Sequence, residues 1–253
     1  MALGFLFPWS MATSRFRKNR SSRKVQPSPK IYSKYADDGI FSSAAIHLFR
    51  KAIEKETHQM SKQKGYDGLV EDCRYLQKHR NPEEQRAAVY RVISSLFCAP
   101  TGVQLFRSLL ATMPVTWAFH LSALFTQIFF QWLVGPCQAH TIENERLKRG
   151  IFIPKCRFLE ESQCKGMCVN MCKIPTQQFF NNTLGFPFTM EPNYETGSCQ
   201  ITFGKTPLPL EQDAAVHIKC SGKCSSKKSI GYKFPTHDCR NVNSPLETRM
   251  DTE

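Results

Sequence analysis

Residues 156–172 read CRFLEESQCKGMCVNMC, four cysteines separated by seven, three and three intervening positions. Cys164, Cys168 and Cys172 recur every four residues, a spacing that lines them along one face of a continuous helix. Gly166 leaves room for a loop near the start, so that Cys164 precedes the helix while Cys168 and Cys172 face inward from it. Cys156 stands at the end of a short strand candidate, Ile151 to Ile153, and offers a fourth sulfur. Downstream, Cys199 alternates with Ile201 and Phe203 and so points inward from a second strand, and Cys220 and Cys224 repeat the four-residue offset. Thiolates are soft ligands that favour zinc, iron or an iron–sulfur centre. The spacing matches neither the C-x-x-C knuckles of zinc sites nor the tandem run of ferredoxins. Metal ligation, structural disulfides and unpaired core thiols all stay open at this level.

Upstream of the cysteines the chain reads as helical. Phe41, Ala45, Leu48, Phe49 and Ala52 form an amphipathic stripe, and Tyr66, Leu69, Val70, Cys73 and Leu76 form a second, on which Cys73 reads as a buried thiol serving as a small hydrophobe. Asn81, Pro82 and Glu84 carry a helix start signal, and the helix is stopped by Pro100 and Gly102. A short helix follows, ending at Pro114. The run VTWAFHLSALFTQIFFQWLV, residues 115–134, has no charged residue. It is long enough to cross a bilayer, but its interspersed Thr, His, Ser and Gln favour a buried or lipid-facing helix. Its rings, with Trp117, Phe125, Phe129 and Trp132 foremost, are candidates for the wall of a slot or docking face for a long apolar ligand; ordinary core packing is the competing reading. Pro175 reads as a break after the cysteines, and Pro187, Pro192 and Gly197 as punctuation of a loop. The expected fold is therefore α+β and mainly helical: a helical lobe over 35–134 packed with a small, irregular, cysteine-rich lobe over 135–224 that contains short strands, followed by a flexible tail over 225–253.

The chain of 253 residues has a formal net charge of +13. Much of that excess sits in residues 1–30, which hold seven Arg and Lys and no acid. Such an Arg-rich, Ser-rich, acid-poor start reads as an organellar transit segment or a disordered basic tail. Without it the chain is only mildly basic, and its aromatics are not interleaved with basic residues, so a nucleic-acid surface is not indicated. No P-loop, dinucleotide fingerprint or nucleophile elbow occurs. His120, His140, Glu160, Glu161, Glu191 and Glu195 are further polar groups near these segments, for which a satisfied or solvated role outweighs a catalytic one.

The strings QWLVGPC (131–137), CRFLEESQCKGMCVNMCKIPTQQFF (156–180), GFPFTMEPNYETGSCQITFG (185–204), PLPLEQD (207–213) and CSGKC (220–224) resemble the plastid beta-carotene isomerases of the strigolactone pathway; YDGLVEDCRYL (66–76) resembles their helical half. The resemblance implies an iron-containing chloroplast enzyme that interconverts all-trans and 9-cis beta-carotene and meets its insoluble substrate at a membrane. It makes Cys156, Cys164, Cys168, Cys172, Cys199, Cys220 and Cys224 the candidate set for the iron site or the lobe around it. Mononuclear iron and an iron–sulfur centre are not distinguished, nor are the oligomeric state and the role of the tail. A non-catalytic, metal- or disulfide-stapled paralog and a small iron–sulfur protein are the alternatives.

Overall fold

A computed structural model describes residues 39–142 and 146–217. The basic segment 1–30, the tail 225–253, Cys220 and Cys224 lie outside the described residues. The order is α1 (Ile40–Thr57), α2 (Gly65–His79), α3 (Pro82–Leu96), α4 (Thr101–Ala111), α5 (Val115–Phe129), α6 (Gln131–Val134), β1 (Gln138–Thr141), β2 (Lys148–Ile153) and α7 (Arg157–Ser162). A composite helix over 165–184 follows, then β3 (Phe188–Asn193), β4 (Ser198–Phe203) and a last turn of helix, Ala214–His217. This is the expected mainly helical α+β fold. Helices and sheet share one apolar core that includes Leu76, Val92, Ile151, Met167, Phe179 and Phe203.

The first helix forms where its periodicity predicts, but its buried face differs. Phe41 and Leu48 are exposed, whereas Ile46, Arg50, Ala52 and Ile53 are buried. A stripe of apolar letters cannot register Arg50, whose guanidinium is saturated inside the protein. It meets Asp72 Oδ2 at 2.7 Å and donates to the carbonyls of Ser61 and Gln63, both at 2.8 Å. Asp72 also accepts from the Ser61 N–H at 2.6 Å, so the α1–α2 connection is tied to both helices. Gly68 is required here, since a Cβ would lie 2.5 Å from the Arg50 guanidinium and from the Gln63 carbonyl oxygen.

The capping signal of α3 is realised in full: Glu84 N–H donates to Asn81 Oδ1 and Asn81 N–H to Glu84 Oε2, each at 2.9 Å. The uncharged run 115–134 does not form one helix. Phe130 leaves helical geometry (φ −111°, ψ 6°) and separates α5 from α6. Among the described residues no helix is long and apolar enough to cross a membrane.

The sheet has the order β1-β2-β4-β3 and is antiparallel throughout. Ile151 and Ile153 of β2 lie opposite Ile201 and Cys199 of β4, which in turn lie opposite Met190 and Pro192 of β3. One face is thereby continuous across the three strands. β3 was expected to be a loop because of Pro192. As an edge strand it tolerates a proline, whose missing N–H is one the ladder does not use. β1 is short and polar and gave no strand signal.

Pro175, read as a break, lies inside unbroken helical backbone. Residues 165–184 run as an α-turn (Lys165–Met167), a π-turn (Cys168–Lys173), an α-segment (Ile174–Gln178) and a second π-turn (Phe179–Leu184), closed by left-handed Gly185. Proline costs a helix an N–H and a clash with the carbonyl four residues before it. At the start of an α-segment the N–H is dispensable, and the widened π-turn moves the carbonyls that the ring would strike.

The buried Arg50–Asp72 pair and the exposed Asn81 cap give a graded stability test. Asp72→Asn leaves a buried guanidinium short of its counter-charge and should cost about 3–5 kcal/mol. Asn81→Ala should cost about 1 kcal/mol. Urea unfolding followed by circular dichroism measures both, with the midpoint falling further for Asp72→Asn.

Candidate functional site

Where β2 ends, the chain turns through Cys156 into α7, and α7 leads to the composite helix that recrosses the continuous sheet face. This path brings sulfur together. Cys156, Cys168, Cys172 and Cys199 line one cavity with Ile153, Met190 and Pro192 of the sheet, Phe158 and Leu159 of α7, and Val134 at the end of α6. Its volume of about 10 Å³ leaves room for less than one water molecule. Apart from the sulfur atoms its walls are almost wholly apolar. All eight cysteines among the described residues are unbridged.

Burial in this apolar setting governs the thiols. It pushes Cys168, Cys172 and Cys199 well above the ordinary thiol range, because a thiolate there would lose its hydration, and the neighbouring sulfurs add to the shift by mutual repulsion of their charged forms. Cys156 moves in the same direction, again chiefly by burial, against two backbone N–H groups of α7 that favour its charged form. A hydrogen bond with the Tyr194 hydroxyl opposes the shift at Cys168, and Tyr194 itself is raised by its own burial and by Cys168. Burial in the cavity therefore favours the neutral form of these thiols.

Two residues that sequence reading left out position this cluster. Lys173, next to Cys172, is buried and donates to the Met190 carbonyl at 2.5 Å while pairing with Asp213 Oδ2 at 2.7 Å. Both lie in the family-like strings CKIPTQQFF and PLPLEQD, and a lysine next to inward-facing cysteines was the available signal. Cys73 was read as a core hydrophobe, and it is fully buried, with its thiol pushed up to about 12 by that burial and by the Asp72 carboxylate. It also stands near enough to Cys172 for a thiolate on one to raise the other, so α2 contributes a fifth sulfur to the neighbourhood.

The remaining candidates fall elsewhere. Cys164 is buried at the start of the composite helix but faces α2, where its sulfur accepts from Gln77 Nε2 at 3.1 Å. Trp132 is 7% exposed and packs edge-on against Phe49 with ring centroids 5.5 Å apart. Its carbonyl accepts from Arg157 Nη1 at 3.1 Å. Trp117, Phe125 and Phe129 lie instead on the outer surface of α5, with Phe125 stacked on Phe129 at 4.4 Å. The four rings thus do not share one wall. His120 is satisfied by the backbone, accepting at Nδ1 from the Lys148 N–H at 3.1 Å. Among the described residues no three His, Cys, Asp or Glu side chains stand close enough together to hold a metal ion.

Thiol accessibility follows from this arrangement. Iodoacetamide at pH 8, followed by peptide mapping, should modify exposed Cys98 at least tenfold faster than Cys73, Cys168 or Cys199, the buried thiols reacting only in denaturant.

A family profile described as "Beta-carotene isomerase D27-like, C-terminal" matches residues 132–212, which contain the whole sulfur cavity. The chain is 37% identical over 201 residues to the chloroplastic beta-carotene isomerase D27 of Arabidopsis thaliana, covering 78% of this chain and 75% of that protein. It is 34% identical over 194 residues to the chloroplastic beta-carotene isomerase D27 of Medicago truncatula, covering 76% of each. No solved structure matches.

Proposed function

Since the chain belongs to the beta-carotene isomerase D27 family and is an isomerase, we propose that it interconverts the all-trans and 9-cis forms of beta-carotene in the chloroplast, its 9-cis product entering strigolactone synthesis. The observation that carries this reading is the convergence of four sulfurs on one closed apolar cavity inside the matched segment.

Isomerisation transfers no group, so neither a nucleophile–base pair nor a hydride carrier is needed. What is needed is a transient loss of double-bond order in a conjugated chain, in surroundings that exclude water and fix which bond turns. The cavity walls supply the dryness, and the composite helix, held by Lys173, supplies fixed sulfur positions.

Iron is the finer part of the proposal. Its support is donor chemistry, since thiolate sulfur is a soft ligand suited to iron, and bound iron would supply one-electron exchange with the polyene. Cys156, Cys168, Cys172 and Cys199 are the sulfurs on which a centre would draw among the described residues, with Cys220 and Cys224 outside them. The hydrocarbon substrate dissolves only in lipid, so peripheral contact with a plastid membrane belongs to the same reading.

Purified protein incubated with all-trans and, separately, with 9-cis beta-carotene tests the activity, with products resolved by chromatography. The 9-cis to all-trans ratio should move toward a common value from both sides; an unchanged ratio sinks the enzyme reading in favour of a binding paralog. Cys168→Ala and Cys199→Ala should each reduce turnover at least tenfold while Cys98→Ala leaves it within twofold. Iron and acid-labile sulfide measured on anaerobically purified protein separate mononuclear iron from a cluster, and iron well below one atom per chain removes the metal from the proposal.

A further inference from the structure

An α-helix on the surface of a water-soluble core normally turns its large apolar side chains inward. Helix α5 packs Phe119 and Leu124 against the core but turns most of its large apolar side chains outward. The residues it buries are Ala118 and Ala123, while Trp117 is 50% exposed, Leu121 46%, Phe125 52% and Ile128 67%. At about 100° per residue these four fall within an arc of about 80° on the helix surface. Their small inward counterparts let α5 lie close against β2, so the outward rings are not displaced core residues. The stripe continues past the helix end: exposed Phe129 meets exposed Phe41 of α1 with ring centroids 5.7 Å apart, and Ile40 beside it is 93% exposed. An unbroken apolar face of this size marks an interaction surface.

Charge beside the stripe identifies what it meets. The basic residues Arg146, Lys148 and Arg149 run alongside the first half of α5, held there by the bond from Lys148 N–H to His120 Nδ1. Arg146 and Lys148 are exposed. Between them and the helix opens a cavity of about 480 Å³ lined by Thr116, Phe119, Arg146, Leu147, Arg149 and Gly204. Its mixture of guanidinium and apolar wall suits an anionic head joined to a hydrocarbon tail. The helix itself, from 115 to 129, has no charged residue. A row of large apolar side chains bordered by cations is the pattern of a segment that lies in a lipid interface, with its rings among acyl chains and its cations at the headgroups.

We propose that the outer face of α5, with Phe41 at one end and Arg146 and Lys148 along its side, is the surface by which this protein lies on a bilayer bearing anionic headgroups. The inference rests on the carotenoid reading only for the reason such contact is useful; the surface itself is defined without the substrate.

Co-sedimentation of the full chain with vesicles tests it, comparing phosphatidylcholine alone with phosphatidylcholine containing about one third phosphatidylglycerol. Wild-type protein should bind the anionic vesicles at least tenfold better, less so at 0.5 M salt, roughly a Debye length of a few ångströms. Leu121→Ser with Ile128→Ser should lose binding to both vesicle types at least tenfold. Arg146→Glu with Lys148→Glu should remove the preference for the anionic lipid. Both variants should keep turnover of detergent-dispersed beta-carotene within twofold. Wild-type protein that ignores both vesicles, or a Leu121/Ile128 variant that binds as wild type does, overturns the proposal. So does a wild-type dimer that this variant converts to monomer without change in vesicle binding, since the face then joins two copies of the chain. Vesicle binding without turnover in detergent leaves the docking surface standing and removes the isomerase reading; turnover in detergent without vesicle binding does the opposite.

Discussion

The ammonium of Lys173 sits in the protein interior between the Asp213 carboxylate and the Met190 carbonyl, and the sulfur cavity depends on where those three groups meet. Taking both charges out of water costs several kcal/mol per ion before pairing, so the pair is tolerated only where its geometry is closely met. Met190 lies on the edge strand opposite Ile201, two residues from Cys199, and Lys173 follows Cys172 directly. One short contact therefore sets the depth and register of the composite helix against the sheet. Asp213 brings in the segment after β4, which closes over the helix through Val216 packed on Val169 and Ile174. A hydrophobic residue at 173 could fill the space, but it would not specify the register, because apolar contact is non-directional.

The π-turn over Cys168–Lys173 does the second part of the positioning. A four-residue interval overshoots one turn by about 40° in an α-helix and falls short of one in the wider π-turn. Cys168 and Cys172 thus still face the cavity but have different neighbours. Both interact with Cys156 and Cys199, but only Cys168 meets Tyr194 and only Cys172 meets Cys73. Four sulfurs are spread around a small space in this way instead of being stacked in one line. The same widening accommodates Pro175, which an α-helix would not have accepted so close behind the cysteines.

The sequence made the helices legible where local signals act alone, as with the Asn81–Glu84 box, and it made Cys199 legible because strand alternation directly reports the buried face. It misled where tertiary partners decide. A stripe of apolar letters leaves out Arg50, whose burial depends on Asp72 and two loop carbonyls, and Pro192 reads as a loop until its strand is known to be an edge. Of the seven candidate cysteines, the cavity gathers Cys156, Cys168, Cys172 and Cys199, while Cys164 turns to Gln77. Four-residue spacing alone does not separate Cys164 from the other two, but Gly166 does: Cys164 precedes the helix that starts at Lys165, while Cys168 and Cys172 face the cavity. Lys173 was missed for a related reason: a charge has a commoner explanation, which only its partners remove, whereas Cys73 is the buried core thiol that its stripe indicates.

The size of the cavity constrains how any polyene chemistry at the sulfurs could proceed. A space of about 10 Å³ admits no hydrocarbon chain, so access requires one of its walls to move. The walls are not equally held. The composite helix is tied by the buried Lys173–Asp213 pair, and β4 is hydrogen-bonded to a strand on each side. The wall at Val134 belongs to α6, a helix of four residues whose anchors include the Tyr66 hydroxyl donating to the Leu133 carbonyl at 2.6 Å, Arg157 donating to the Trp132 carbonyl, and Trp132 itself against Phe49. Arg157 in turn lies 3.8 Å from the centre of the Tyr66 ring, so two of those anchors share one cation–aromatic contact. Helix α6 is also the direct continuation of α5 past the break at Phe130. The wall of the sulfur cavity at Val134 is thus covalently joined to the helix whose apolar face is turned outward.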